Sequence, residues 1–180
     1  NLYMENIGQG SIKIDFTGSE NAFNFIVLRG YLDVFGGLDT VGIFSERPII
    51  IDNLVEGDSY FLSVVARNSL GSSEPTEMLG VIPSNNDVKA LVVNGFDRIN
   101  GTNNTFDFIR QHGSALHAHN LSFDAASNEA VINQHIGLLD YQFVDWILGE
   151  EGTSTSAFSY SEQNKIIEYL ESGKFLFISG

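Results

Sequence analysis

Leu54-Val55-Glu56-Gly57-Asp58-Ser59-Tyr60, continuing to Val64-Val65-Ala66-Arg67-Asn68 and Gly71-Ser72-Ser73-Glu74-Pro75, decides how the first half of the chain is read. It sets a cluster of turn formers against an apolar run rich in strand formers. The same grammar extends toward the N-terminus. Ser11-Ile12-Lys13-Ile14-Asp15-Phe16 alternates apolar and polar residues with period two, the mark of a half-buried strand. Residues 23–28, 40–44, 48–51 and 60–66 are further apolar runs, and a shorter strand begins near Leu2. Turn clusters separate them at residues 17–21, at Gly36-Gly37, at Asp52-Asn53 and at Glu56-Gly57-Asp58. Several short strands at this spacing predict a sandwich or barrel. No stretch before Ser84 keeps a helical period.

Pro83-Ser84-Asn85-Asn86-Asp87 is a polar linker, and the grammar changes after it. Residues 89–96 begin with a continuous apolar run, the pattern of a strand buried on both faces. Residues 105–119 read as a helix with Gly113 weakening its middle, and 121–124 as a short strand. Residues 127–136 read as a short helix capped by Ser127 or Asn128. Residues 143–149 form a second buried strand. Ser159-Tyr160-Ser161-Glu162 fits a capping box before an apolar helix face at Ile166, Ile167, Tyr169 and Leu170, with Gly173 at its C-terminal stop. Residues 174–180 form a third buried strand. Strands alternating with helices predict a parallel sheet with right-handed crossovers. The expected organisation is therefore a β-sandwich over 1–84, a linker over 85–87 and an α/β unit over 88–180. The apolar run Phe175–Ile178 would lie on an exposed edge if the sheet stopped there, so the sequence is expected to be a slice of a longer protein, the alternative being an edge covered by another copy.

Composition narrows the partners. The chain has 180 residues, a net charge of −14 and no Cys. The acidic excess is spread along it: residues 1–86 hold 4 basic and 11 acidic residues, residues 87–180 hold 5 and 12, so neither half is a charged tail. A nucleic-acid backbone or an anionic membrane surface is a poor partner for such a chain. No apolar run approaches the roughly 20 residues of a membrane-spanning helix. Without Cys there can be no disulfide, thiolate zinc site or thiol nucleophile from this chain. No Gly-x-Gly-x-x-Gly or Walker loop is present, so no nucleotide cofactor is expected.

The first half resembles a fibronectin type III domain around Leu54, Gly57 and Tyr60. The resemblance implies a Leu in the core at the corner, a Gly at the bend and a Tyr hydroxyl bonded back to the corner backbone. Phe16 stands where that family usually has a core Trp, and Phe25 where Tyr is common; both keep the aromatic volume. The second half carries residues 92–98, Ser127-Asn128-Glu129-Ala130, residues 141–151, Glu162-Gln163 and residues 173–180. It resembles the flavodoxin-like, class I glutamine amidotransferase-like module of secreted bacterial proteins described as xanthan lyase-like or N-acetylmuramoyl-L-alanine amidase-like. That resemblance implies a secreted or cell-surface bacterial protein, with polysaccharide or peptidoglycan degradation expected in another domain. The amidotransferase nucleophile is a Cys on a later elbow, so no catalytic residue carries over.

In an open parallel sheet, ligands bind beyond the carboxyl ends of the strands. The candidates there are Asn94, Asp97, Arg98, Glu150, Glu151 and Ser179. The same residues also read as tight strand-to-loop turns, with Asp97 paired to Arg98 and Glu150-Glu151 solvated. His112, His117, His119 and His135 are read as ordinary surface or half-buried histidines, because His117 and His119 do not share a helix face. Metal ligation would need Asp124 or Glu129 brought near them, and no metal is expected. Trp146, the only Trp, is read as core. The function expected is an accessory spacer and ligand-binding segment whose partners are neighbouring domains and a glycan or peptidoglycan. Two rivals stay open: a hydrolase whose site is completed beyond Gly180, and a structural or adhesive surface protein.

Overall fold

The computed structural model describes residues 1–18, 20–30, 37–88, 90–96, 105–150 and 156–180. The period-two stretch Ser11–Phe16 is strand β2, with Ile12, Ile14 and Phe16 buried. It pairs antiparallel with β1 (Leu2–Gly8) on one side and β5 (Ile49–Ile51) on the other. Facing these strands are β3 (Asn24–Gly30), β4 (Asp39–Phe44) and β6 (Tyr60–Asn68), in the order β4-β3-β6. The last strand of this second sheet is split into β7 (Gly71–Ser72) and β8 (Leu79–Val81), both paired with β6. Between them, Pro75 has no N–H to give to a ladder. The hydroxyls of Ser73 and Thr76 accept the N–H groups of Ala66 and Val64 at 3.0 Å each, so β6 stays satisfied across the gap. After Pro75, pairing with β6 resumes as a strand only over Leu79–Val81.

The corner is built as the resemblance implies. The Val55 N–H donates to the Tyr60 hydroxyl at 2.9 Å. The Phe16 and Phe25 rings meet edge to face at 5.0 Å in the sandwich core. This half is a fibronectin type III-like β-sandwich.

The second half adds β9 (Ala90–Asn94), β10 (Phe123–Ser127), β11 (Phe143–Ile147) and β12 (Phe175–Ser179), all mutually parallel where they pair. Helix α1 (Phe108–Ala118) joins β9 to β10. Helix α2 (Asn128–Ile132) and a 3-10 turn at Leu138–Asp140 lead to β11, and α3 (Tyr160–Glu171) leads to β12. Ser127 caps α2, and Ser159 with Glu162 closes the capping box of α3. Gly173 takes a φ of +80° just past α3, a conformation that only Gly adopts without strain. None of the helices among the described residues is long and apolar enough to cross a membrane.

The two halves share a sheet. Its order is β12-β11-β9-β10-β1-β2-β5, with β10 and β1 antiparallel through Tyr3↔Ala126 and Met4↔Ala125. Side chains extend that short ladder. The Leu2 N–H donates to Ser127 Oγ at 3.3 Å, and the Asn6 N–H donates to Asp124 Oδ1 at 2.8 Å. One hydrophobic core then runs from the sandwich interior (Leu2, Met4, Phe61, Leu79) into the parallel half (Val92, Ile109, Leu116, Phe123). A second core on the other face holds Tyr3, Leu91, Val93, Trp146, Ile166 and Tyr169. Trp146 is fully buried in it.

Gly113 accounts for the weak middle of α1. A Cβ there would lie 2.7 Å from Phe123 Cζ and 3.0 Å from Phe61 Cε1, two rings that are themselves buried. The missing side chain lets α1 lie against both halves at once. In an exposed helix, Gly to Ala would stabilise by about 1 kcal/mol. Here the overpacking should win, so Gly113→Ala should destabilise by about 1–3 kcal/mol in urea unfolding. A stabilised variant would contradict this packing.

Candidate functional site

The carboxyl ends of β9, β11 and β12 meet at one end of the parallel strands. Asn94 ends β9 and is buried, its amide satisfied by donating to the Glu77 carboxylate of the sandwich. Ser179 ends β12, and Glu150 follows β11. The chain can turn closely here because Gly95 has no side chain: a Cβ would come within 2.2 Å of the Trp146 indole nitrogen. Of the six candidates, Asn94, Glu150 and Ser179 fall at these strand ends. Asp97, Arg98 and Glu151 lie outside the described residues.

Two further residues join Ser179. His112, on α1, places Nδ1 2.7 Å from Asp145 Oδ2 and Nε2 3.4 Å from Ser179 Oγ. A carboxylate only accepts, so Nδ1 donates in the short contact, and in the neutral ring Nε2 is then the nitrogen that can accept from the serine. Asp145 lies mid-strand in β11 and is 4% exposed. Among the described residues its Oδ1 has no hydrogen-bond partner, so His112 is the group that compensates the carboxylate. Beside this line is a cavity of about 290 Å³ lined by Phe108, Gln111, His112, Ile147, Glu150 and Ser179. Its walls are apolar at Phe108 and Ile147 and polar at the rim.

The sequence reading took Ser179 and missed the other two. A signal for Asp145 was present: it is a carboxylate inside the apolar run Phe143-Val144-Asp145-Trp146-Ile147, where burial is costly without a partner. Nothing local marks His112, because its partners lie 33 and 67 residues away. His117 sits on α1 and His119 just past its end, while His135 stacks on Tyr3 at 6.3 Å. Among the described residues, no group of three His, Asp or Glu side chains is placed to hold a metal ion.

A larger cavity of about 600 Å³ opens at the opposite end of the strands, lined by Asn6, Ser84, Asp124, Tyr141 and Lys174. Asp124 is 4% exposed there; its Oδ2 accepts from the Tyr141 hydroxyl at 2.7 Å and its Oδ1 from the Asn6 N–H. Burial pushes its carboxyl up to about 7, against the two hydrogen bonds, which pull it down. Burial and the neighbouring Asp124 push the Tyr141 hydroxyl upward as well.

No protein-family model and no curated protein matches the sequence. Solved fibronectin type III domains are similar to part of it. The crystal structure of FN3tt is 11% identical, covering 46% of this chain and 85% of its own, with a TM-score of 0.39. The domain of human fibronectin type III domain containing protein 3 is 16% identical, covering 47% and 84%, with a TM-score of 0.39. The fn3 domain of human contactin 1 is 16% identical, covering 46% and 73%, with a TM-score of 0.38.

The raised Asp124 gives a test with a definite sign. A carboxyl whose folded pKa lies near 7, against an ordinary 3.8, stabilises the fold fully at low pH. That contribution is lost as pH rises from about 4 through 7. In Asp124→Asn, Oδ1 still accepts from Asn6 and the amide donates to the Tyr141 hydroxyl, without a charge to bury. The variant should gain on the wild type as pH rises from 5 to 8, by up to about 2.5 kcal/mol in denaturant unfolding. A difference that is flat with pH would show that Asp124 ionises as freely in the folded chain as in the unfolded one.

Proposed function

We propose that this chain is an accessory segment of a secreted or cell-surface bacterial protein that degrades polysaccharide or peptidoglycan. The sandwich, residues 1–84, acts as a spacer, and the α/β unit, residues 88–180, presents a ligand crevice. The observation that carries this reading is the sheet shared by the two halves, which fixes the crevice relative to the spacer instead of leaving it on a tether. The flavodoxin-like reading of the second half is supported by strand order. Counted from β9, the parallel strands run 2-1-3-4, the start of the 2-1-3-4-5 order of that fold. The crevice lies at the carboxyl ends of β11 and β12 against α1, the end of the strands at which such sheets take their ligands. Cleavage of the polymer backbone is assigned to another domain of the parent protein, and neighbouring domains and a glycan or peptidoglycan are the partners.

Co-sedimentation with purified peptidoglycan sacculi, and affinity electrophoresis in xanthan, test the reading. Retention by one of the two polymers is expected. A paired change at the crevice rim, Gln111→Ala with Glu150→Ala, should weaken it about tenfold, near 1.4 kcal/mol. No retention by either polymer, or retention unaffected by the paired change, would overturn it.

A further inference from the structure

We propose that Ser179, His112 and Asp145 form an acyl-transfer site of this chain's own, acting on small acyl esters. This goes beyond an accessory role and does not depend on it. The argument starts from geometry. Three side chains from three elements, β12, α1 and β11, lie in one line: hydroxyl, imidazole, carboxylate. The order of roles follows from their hydrogen-bonding capacity. Asp145 can only accept, so it holds His112 in the tautomer whose Nε2 faces Ser179. The 3.4 Å separation between Nε2 and Oγ is long, as catalytic hydrogen bonds often are before substrate closes them.

The placement argues against a purely structural pair. A structural Asp–His contact needs no hydroxyl on its far side and no cavity beside it. Here the imidazole is half-buried, and its second nitrogen faces the space shared with Ser179. Asp145 Oδ1 has no hydrogen-bond partner among the described residues, so the side-chain contact of this buried carboxylate is the one to His112. An imidazolium formed during reaction would therefore sit against a buried carboxylate, the arrangement that stabilises it in serine hydrolases.

The chemistry balances without an added co-reactant. Ser179 Oγ bonds to the acyl carbon while its proton passes to His112 Nε2. The tetrahedral adduct collapses, the bond to the alcohol oxygen breaks, and that oxygen takes the proton from His112. A water then attacks the acyl-serine, again giving a proton to His112. Collapse returns that proton to Ser179 and releases the carboxylic acid. The cavity limits the substrate: about 290 Å³, with Phe108 and Ile147 as walls, suits an acyl group of a few carbons with its alcohol part left outside. Ser179 and His112 are the catalytic residues, and Asp145 is a positioning residue.

The test is labelling of the intact protein with an alkyl fluorophosphonate, followed by peptide mapping. The peptide carrying Ser179 should be labelled in the folded protein, and heat denaturation or Ser179→Ala should abolish that label. His112→Gln should slow it by about 10²–10⁴-fold. Asp145→Asn should lower the maximal labelling rate at least tenfold while the half-saturating probe concentration holds, a split that loss of fold would not give. A Ser179 peptide labelled no faster than in denatured protein would overturn the proposal, as would labelling unaffected by His112→Gln. Ser179→Ala removes only a hydroxyl from a half-buried strand end, so the result does not hang on a variant that fails to fold.

Discussion

Strand β1 is paired on both edges, with β2 on one side and β10 on the other, and the rest of the molecule depends on that double pairing. An outer strand of a sandwich ordinarily leaves a row of N–H and C=O groups open to other chains. Here the parallel strands cover it. The ladder between β1 and β10 is only two residue pairs long, too few to fix an orientation alone. Ser127 and Asp124 lengthen it at each end by accepting from the next free N–H groups of β1, and the Asn133 amide donates to the Asn1 side chain at 2.7 Å beyond them. Alternation along β1 does the rest. Leu2 and Met4 enter the sandwich core, while Tyr3 between them enters the core beneath α2 and α3.

The same constraint positions the strand-end site. Helix α1 packs against β8 of the sandwich as well as against β9 and β11. Its close approach at Gly113, between Phe61 of one half and Phe123 of the other, sets where His112 lies along the sheet. The Asn94 amide at the end of β9 is likewise held by Glu77 from the sandwich. The sandwich therefore supports the site from behind, through α1 and Asn94. Asp124 illustrates the cost of the seam: it satisfies an N–H of β1, but it does so from a place where a carboxylate is hard to ionise.

The sequence made much of this legible where the signal is local. Period-two alternation marked β2, continuous apolar runs marked the parallel strands, and Ser159 with Glu162 marked the start of α3. The Tyr60 corner was readable because its residues lie close together in the chain. The split of the last sandwich strand was not, because it depends on hydroxyls of Ser73 and Thr76 replacing ladder groups across from β6. The β1–β10 seam joins residues more than a hundred positions apart and has no local pattern. At the site, Ser179 was visible as a strand-end hydroxyl. Asp145 was visible only as a charge out of place in an apolar run, and His112 was hidden among four histidines of equal appearance. Residue patterns report which face of an element is buried; which elements meet is decided by packing, and the site exists only after they meet.

The central claim is that the sandwich and the parallel strands unfold as one body because they share β1, β10 and a core. Trp146 is the chain's only Trp and lies buried in β11, so its fluorescence reports the parallel half alone. Amide exchange of Tyr60–Asn68 reports the sandwich. Both should be followed through a urea titration of the same sample. The account predicts one midpoint for the two signals. Midpoints that separate, with the tryptophan signal lost while β6 stays protected, would contradict it and return the halves to independent units.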